Sequence, residues 1–572
     1  MHGTGTDHVR EQHHSDKRLQ PLAARYEMSQ RLYLDVASAF KAGYNAAFDG
    51  LNWPIAQATY DSVAKAFVEF LEEIATGPTL SESERYDLAL SIVPIANESF
   101  YHASSHMIVD ACKRNGWEYV FSPSATYYPV IAEYREGRTQ SVHDSLLNLE
   151  RSQSPGFVAR HARSNRERLR RYGITLKSKL NRPHIYQMTT NKLKNEWTSP
   201  GHASLRSLVP KAGWGLENSK QQHPSTDLAN HIAQNFTEII AAHEFGTDDL
   251  LLEYIRRIST THLLIASNWR NKNHEKYFNT RDSILLTATA GGFESRLMSH
   301  VFQRNDLPVI RFTHGGERGL IDDPRWHYPE LMFTDYYLVH GRTEASQVND
   351  AVIRKTSSFT SRNLKVIGVG SRFHTGLRQR DSISTYSTQV RNVMVVSASF
   401  NNEFRPALVS TQEEIVYMEW HLRLLKSLQS TDYNVISKRH PKGRLTSMKL
   451  FGGYVDQELM GGSFTDLMTT ADAFIFDFAA SAFMEALCTN KPVVLIETPC
   501  RPLLPSGRKE VEEICTIVCA EFDETNRVIA DFDAIIRGLE KPVDPDMRQA
   551  FVENYLLNPS DNLIEFTDLI DR

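Results

Sequence analysis

The chain has 572 residues, is 41% hydrophobic and 10% aromatic, and carries a net charge of −5 at pH 7. That length exceeds one ordinary hydrophobic core and predicts two or three domains, while the composition excludes an intrinsically disordered chain. So mild a charge excludes a global nucleic-acid binder, and any anion-binding surface has to be local.

The opening stretch, MHGTGTDHVREQHHSDKR, is polar, lacks an apolar signal-peptide core and reads as a flexible tail. Its histidines (His2, His8, His13, His14) suggest adventitious metal binding at most. From about residue 25, two stretches show apolar residues at three-to-four spacing and predict helices: RLYLDVASAFKAGYNAAF, and TYDSVAKAFVEFLEEIA before Pro78. DLALSIVPIA at 87–96 reads as a buried strand. SFYHASSHMIVDACKRNG follows as a helix closed by Gly116, then WEYVFSPS as a strand. Strand, helix, strand is the signature of a parallel α/β unit. Residues 1–80 are therefore expected as a tail and helical region, and 81–375 as a first Rossmann-like domain.

Residues 151–222 differ in composition. They hold fifteen Lys and Arg against three Asp and Glu, a net of +12, so the rest of the chain sums to −17. The cluster Arg163, Arg166, Arg168, Arg170 and Arg171 dominates. Two readings stand side by side: a solvated insertion, or a surface for an anionic acceptor or anionic lipid headgroups.

Residues 224–276 return to helical spacing. Regular alternation follows: strand SILLTATA, the turn Gly291-Gly292, helix FESRLMSHVFQRND, strand LPVIRFTHGG, strand DYYLVHG, a helix from Thr343 and strand NLKVIGVG. Residues 371–391 are polar without a clear period and read as the connection between two α/β halves. The second half, 390–572, runs through strand NVMVVSASF, helix EEIVYMEWHLRLLKSLQS and strand YNVISKRHP. Then come a helix at SFTDLMTTA, strand DAFIFDF, helix ASAFMEALCTN, strand PVVLIE and a closing series of helices. The expected fold class is α/β: two doubly wound, Rossmann-like domains facing a cleft, with ligands beyond the carboxyl ends of the strands.

The five cysteines (Cys112, Cys488, Cys500, Cys515, Cys519) are odd in number and form no C-x-x-C pair, which argues against a disulfide framework and for a reducing cytoplasm. Cys515 and Cys519, in ICTIVC, read as core thiols. No run approaches the roughly 18 apolar residues of a membrane span.

Four strand-end loops carry the candidate chemistry. In FTHGGERG, the glycines Gly315 and Gly316 permit close backbone approach, with His314 at the strand tip and Arg318 nearby, and His314 and Glu317 are the candidate catalytic residues. A histidine there suits removal of a proton from an acceptor hydroxyl. In VVSASFNNE, Ser397 and Ser399 sit where phosphate-binding loops often lie, but without the G-x-G-x-x-G of a dinucleotide site. In KRHPKG, His440 is placed to donate to a phosphate oxygen, and Lys438, Arg439 or Lys442 adds charge. Strand alternation sets Lys438 and His440 on one face and Arg439 on the other, and Pro441 ends the ladder. In FIFDFAASAFMEAL, Asp477 closes a strand, Ser481 opens a helix, and Glu485 shares its face, suited to accept from the hydroxyls of a ribose. The bland alternatives are a turn histidine, an exposed basic loop and a well-capped structural helix.

Together these elements resemble the GT-B superfamily of nucleotide-activated transferases. The resemblance is nearest to its bacterial surface-polysaccharide branch: CDP-glycerol glycerophosphotransferases, capsule Kdo transferases and polysialyltransferases. The chain is also similar to uncharacterised large surface-carbohydrate transferases. The matches are His314-Gly315, His440-Pro441, and Asp477 to Ser481 with Glu485, and the resemblance covers about 285–540. It implies that His440 and the serine turn hold the donor's phosphate and nucleotide, and that His314 is a base or phosphate ligand. The glycerophosphotransferase turn usually reads Asp-Tyr-Ser-Ser, whereas here it is Asp477-Phe478-Ala479-Ala480-Ser481.

The expected activity is transfer of a sugar or polyol phosphate from a cytidine- or uridine-linked donor to a surface glycan. The acceptor would be an anionic glycan or lipid-linked, and the setting cytoplasmic or peripheral at the inner face of the cytoplasmic membrane. No cofactor, metal or nucleic acid is implied. The D-x-D strings, Asp531-Phe532-Asp533 and Asp544-Pro545-Asp546, follow no predicted strand, and Asp322-Asp323 reads as a loop pair. Two alternatives remain: a sugar-nucleotide 2-epimerase of the same fold, whose Asp-Ser-Gly-Gly turn is absent, and a non-catalytic glycan-binding or scaffold protein.

Overall fold

The computed structural model describes residues 30–123, 184–189, 191–197, 206–207, 226–270, 283–289, 291–354, 357–361, 363–381, 389–402, 411–441 and 443–557. The arginine cluster at 163–171 and Lys442 lie outside them.

A helical layer comes first: β1 (Arg31–Tyr33), α1 (Val36–Ala42), α2 (Tyr44–Phe48), α3 (Gln57–Thr76), α4 (Glu82–Arg114) and β2 (Glu118–Val120). The expected helix from residue 25 is corrected at its start, because Arg31–Tyr33 pairs in parallel with Glu118–Val120 in a sheet of its own. The expected strand at 87–96 is also corrected. It lies inside the 33-residue helix α4. The Ser81 hydroxyl accepts from the Glu84 amide at 3.3 Å, and the Glu84 carboxylate accepts from the Ser81 amide at 3.0 Å. This capping box starts the helix upstream of the apolar run. The run is apolar all round because α4 is enclosed by α3 and by a later helix at Asp249–Arg270. Periodicity alone does not separate a buried strand from such a helix. Asn115 caps α4 and Gly116 turns the chain at φ +66°.

The first Rossmann-like sheet is six-stranded and wholly parallel. Its strands are β3 (His184–Gln187), β4 (Arg206–Ser207), β5 (Ser283–Thr287), β6 (Val309–Phe312), β7 (Tyr336–Val339) and β8 (Lys365–Gly368), in the order β4-β3-β5-β6-β7-β8. The helices of this half are α5 (Lys192–Trp197), α6 (Thr226–Ala242), α7 (Asp249–Arg270), α8 (Phe293–Arg304), α9 (His327–Leu331), α10 (Arg342–Arg354) and α11 (Arg372–Asp381). Strands β5 and β6 are buried along their whole length, as strands covered on both faces are. Two further expectations are corrected here. The basic stretch is not a single insertion, because it contributes β3, α5 and β4. The polar connection at 371–391 begins with helix α11, which places His374, Leu377, Arg378 and Asp381 inward.

The second sheet has seven strands: β9 (Asn392–Val396), β10 (Asn434–Lys438), β11 (Gln457–Leu459), β12 (Ala473–Phe476), β13 (Val493–Glu497), β14 (Thr516–Phe522) and β15 (Val528–Ala530), in the order β11-β10-β9-β12-β13-β14-β15. It carries α12 (Glu414–Gln429), α13 (Phe464–Leu467), α14 (Ser481–Leu487), α15 (Pro505–Glu512), α16 (Phe532–Leu539) and α17 (Pro545–Tyr555). The expected closing helices are interrupted by β14 and β15, an antiparallel pair at the sheet edge. Alternation along β14 buries Val518 and exposes Cys519, so only Cys515 of the two thiols is a core residue. Asp531-Phe532-Asp533 does follow a strand, β15, but Asp531 caps α16 by accepting from Ala534 N at 2.9 Å.

Two Rossmann-like domains thus face one another. Each sheet reverses its strand order at one crevice, between β3 and β5 in the first and between β9 and β12 in the second. Such reversal points are where α/β sheets bind ligands. After α17 the chain returns to the first domain, where the Ser371 amide donates to the Leu556 carbonyl at 3.1 Å. No helix among the described residues is long and apolar enough to cross a membrane.

Candidate functional site

The four candidate loops are contiguous in space. At the second domain's crevice, Val396 pairs with Phe476, which sets Ser397 and Asp477 side by side just beyond the strand ends. The Ser397 amide donates to the Lys438 carbonyl at 3.1 Å, joining the β9 loop to the β10 loop. The Leu445 amide reaches the Phe400 carbonyl at 3.2 Å and closes the basic loop over the serine loop. A Cβ on Gly315 would lie 2.9 Å from Ser481 Oγ, and one on Gly316 would lie 2.9 Å from Met484 Cγ. The His314 loop of the first domain therefore rests directly on α14 of the second. Only glycines permit so close an approach.

Individual side chains divide into exposed and buried. His314, His440 and Ser481 are exposed and Ser399 is half-buried, with its hydroxyl accepting from Asn401 Nδ2 at 3.2 Å. Ser397 and Asp477 are buried, and Ser397 Oγ and Asp477 Oδ1 have no hydrogen-bond partner among the described residues. Two orphaned polar atoms at a reversal crevice mark a place built for water or a ligand.

Beneath them lies a residue that the sequence reading did not single out. His421, on α12, is buried against the rings of Tyr417, Phe400 and Phe451, and its Nε2 bonds Asp477 Oδ2 at 2.8 Å. The pair orients the Asp477 carboxylate through one oxygen and leaves the other without a partner among the described residues.

The basic loop behaves unlike a row of free cations. Lys438 is buried and donates to the Arg439 carbonyl at 2.6 Å, and burial lowers its pKa. Arg439 is also buried. It pairs with Glu458 at 3.0 Å and donates to the carbonyls of Met448 at 2.5 Å and Leu445 at 2.6 Å. Its guanidinium ties residues 445–458 to the strand end. Among the described residues of KRHPKG, His440 and Pro441 are the exposed ones.

Glu317 is buried beneath the turn, unlike exposed His314. Its Oε1 stands 3.6 Å from Arg318, its Oε2 has no partner among the described residues, and a Cβ on Gly315 would strike Oε2 at 2.0 Å. Arg318 continues to Glu330 at 3.6 Å and lies over the Trp326 ring. Burial raises the Glu330 pKa to about 7, although Arg318 and Arg311 pull it back down.

Glu485 lies on α14 one turn after Ser481 and is buried. Thr465 Oγ1 donates to its Oε2 at 2.5 Å, and Lys192 of the first domain pairs with its Oε1. Lys192 follows Asn191, whose Nδ2 donates to the Thr313 carbonyl at 2.6 Å and whose Oδ1 accepts from the Lys194 amide at 2.8 Å. Asn191 therefore caps α5 and holds the strand end just before His314. Nearby, Lys194 is fully buried, donates to Thr189 O at 2.7 Å and Gln187 Oε1 at 3.1 Å, and has its pKa lowered by burial to about 8. The local signal for this segment was the apolar core of HIYQM, hidden by the basic composition around it. Among the described residues, no group of three or more His, Cys, Asp or Glu is arranged to hold a metal ion.

No protein-family model and no curated protein matches the chain. Solved structures do resemble it weakly. The glycotransferase of kitacinnamycin is 12% identical with a TM-score of 0.33, over 69% of this chain and 99% of that one. SnogD from Streptomyces nogalater is 8% identical with a TM-score of 0.33, over 68% and 100%. UGT2 of Phytolacca americana, solved with UDP-2fluoro-glucose and pterostilbene, is 11% identical with a TM-score of 0.33, over 65% and 93%. Likeness of this size carries no argument about activity, and the two-domain fold rests on the sheets themselves.

Proposed function

We propose that the chain is a transferase that moves a sugar or polyol phosphate from a nucleotide-activated donor to a surface glycan acceptor. The observation that carries this reading is the convergence of the four strand-end loops, with the glycine turn after β6 seated on the first turn of α14. An exposed histidine from each domain, His314 and His440, stands on two of these loops.

On this reading the donor occupies the β9–β12 crevice. Ser397, Asp477 and Ser481 meet its phosphates and base, Glu485 accepts from the ribose hydroxyls, and His440 donates to a phosphate oxygen. His314 takes the proton of the acceptor hydroxyl while the acceptor oxygen bonds the transferred centre. The bond to the leaving phosphate breaks with its electron pair on the phosphate oxygen, and fixed donors aimed there lower the barrier. Glu317, buried under the turn, orients the His314 loop. The arginines at 163–171 guide an anionic acceptor or touch anionic lipid, so neutralising them weakens that binding in a salt-dependent way.

The test is a thermal-shift panel of CMP, CDP, UMP, UDP, GDP and ADP against wild type and His440→Ala. A shift with one base, lost in the variant, is the expected result, because a ligand that binds only the folded state must raise its stability. No shift with any nucleotide would leave the glycan-binding or scaffold reading in its place.

A further inference from the structure

We propose that Lys192, from the first domain, is a ligand for the donor's phosphate, held on Glu485 until the donor's ribose takes that carboxylate. This rests on the reading of Glu485 as the ribose acceptor. Both Glu485 oxygens are already engaged, Oε2 by Thr465 and Oε1 by the Lys192 ammonium. Each oxygen keeps a second lone pair, but the residue is only 4% exposed, so a ribose diol gains room at this carboxylate by displacing one of the two partners. Thr465 is on the same domain as Glu485, whereas Lys192 crosses the seam on a side chain that is 54% exposed. Its ammonium also lies 4.1 Å from the centre of the Phe373 ring, a neutral face that it leaves at little cost.

The charge at the site gives the displaced ammonium its destination. A nucleoside diphosphate brings negative charge to the crevice, but Lys438 and Arg439 are committed to carbonyls and to Glu458. Lys192 is anchored beside the His314 loop through its neighbour Asn191. The reach from a ribose's hydroxyl edge to its own phosphates lies within the swing of one lysine side chain, a flexible four-carbon stem with a compact charge. Exchange of Glu485 from ammonium to ribose thus delivers a cation to the phosphate that becomes the leaving group.

Calorimetric titration of wild type, Lys192→Gln and Lys192→Arg with CDP and UDP, and with cytidine and uridine, tests this at two salt concentrations. Glutamine keeps a donor for Glu485 without the charge, which protects the fold. The expected result is a loss of about 10- to 100-fold in diphosphate affinity for Lys192→Gln, with nucleoside affinity kept or improved, a shallower salt dependence, and recovery in Lys192→Arg. Diphosphate affinity equal to or above wild type in Lys192→Gln overturns the proposal and leaves Lys192 a latch. Equal losses for nucleoside and diphosphate overturn it as well. If wild type binds none of the four and also shows no shift in the wider nucleotide panel, the donor reading itself fails.

Discussion

His421 Nε2 and Asp477 Oδ2 lie 2.8 Å apart, and both side chains are almost wholly buried beneath the β9–β12 crevice. Each has a second polar atom with no partner among the described residues, His421 Nδ1 and Asp477 Oδ1. A carboxylate only accepts, so Nε2 carries the proton of this bond. The arrangement fixes the carboxylate's plane at the end of β12 while sparing one oxygen, which is how a supporting residue holds a binding group in place.

Removing one partner strands the other. His421→Leu is expected to cost about 3–5 kcal/mol, because it leaves a buried carboxylate uncompensated. Asp477→Leu costs less, and the double variant is expected to be more stable than the sum of the two single losses implies, by about 1–3 kcal/mol. Urea unfolding of the four proteins closes this cycle. Strict additivity would show that the pair is not coupled.

The return of the chain to the first domain depends on Gly341. A Cβ there would lie 2.4 Å from the Tyr555 backbone carbon and oxygen, and a backbone cannot yield as a side-chain end does. Gly341→Ala is expected to lose about 1–3 kcal/mol and to loosen α17 from the first domain. Limited proteolysis reads this as faster cleavage in the segment after α17. An unchanged digestion pattern with an unchanged melt would show that the contact does not hold the domains together.

Much of this architecture is readable locally. The strands β5 to β10, β12 and β13 follow apolar runs between turn residues, and their carboxyl ends mark the four loops. Within α4, the stretch from Ser99 reads as the helix it is, whereas 87–96 reads as a strand because its apolar run is uniform, although Ser81 and Glu84 spell the helix start. What the sequence conceals is pairing at a distance. Lys192 and Glu485 are separated by 293 positions, and His421 and Asp477 by 56. Nothing local distinguishes Arg439, locked on Glu458, from a free phosphate-binding cation, and nothing local singles out Lys192 within a basic stretch.

The Glu330 carboxyl supplies a pH dependence. Burial raises its pKa from an ordinary 4.5 to about 7, against the pull of Arg318 and Arg311 and with Glu317 adding to the rise. Between those values the folded protein keeps a proton that the unfolded chain has lost. This group's contribution is therefore full below about 4.5 and falls away as pH rises to about 7. Glu330→Gln has no such titration. Its stability relative to wild type is expected to increase across that window and to level off above it. Parallel stability curves for the two proteins would count against a raised Glu330.

The basic loop separates its two central residues by role. Arg439→Ala removes the partner of buried Glu458 and two bonds to carbonyls, so it is expected to cost about 3–5 kcal/mol. His440, exposed at the tip, is replaced by alanine within about 0.5 kcal/mol of wild-type stability, as surface changes usually are. Their nucleotide responses run the other way. His440→Ala is expected to melt like wild type and lose the nucleotide shift. Arg439→Ala is expected to melt early and, wherever it remains folded, to keep part of the shift. The discriminating observation is one melting series for both variants with and without the best-binding nucleotide. If His440→Ala keeps the full shift while Arg439→Ala loses it at unchanged stability, the phosphate ligand is Arg439, and its bond to Glu458 must break when the donor binds.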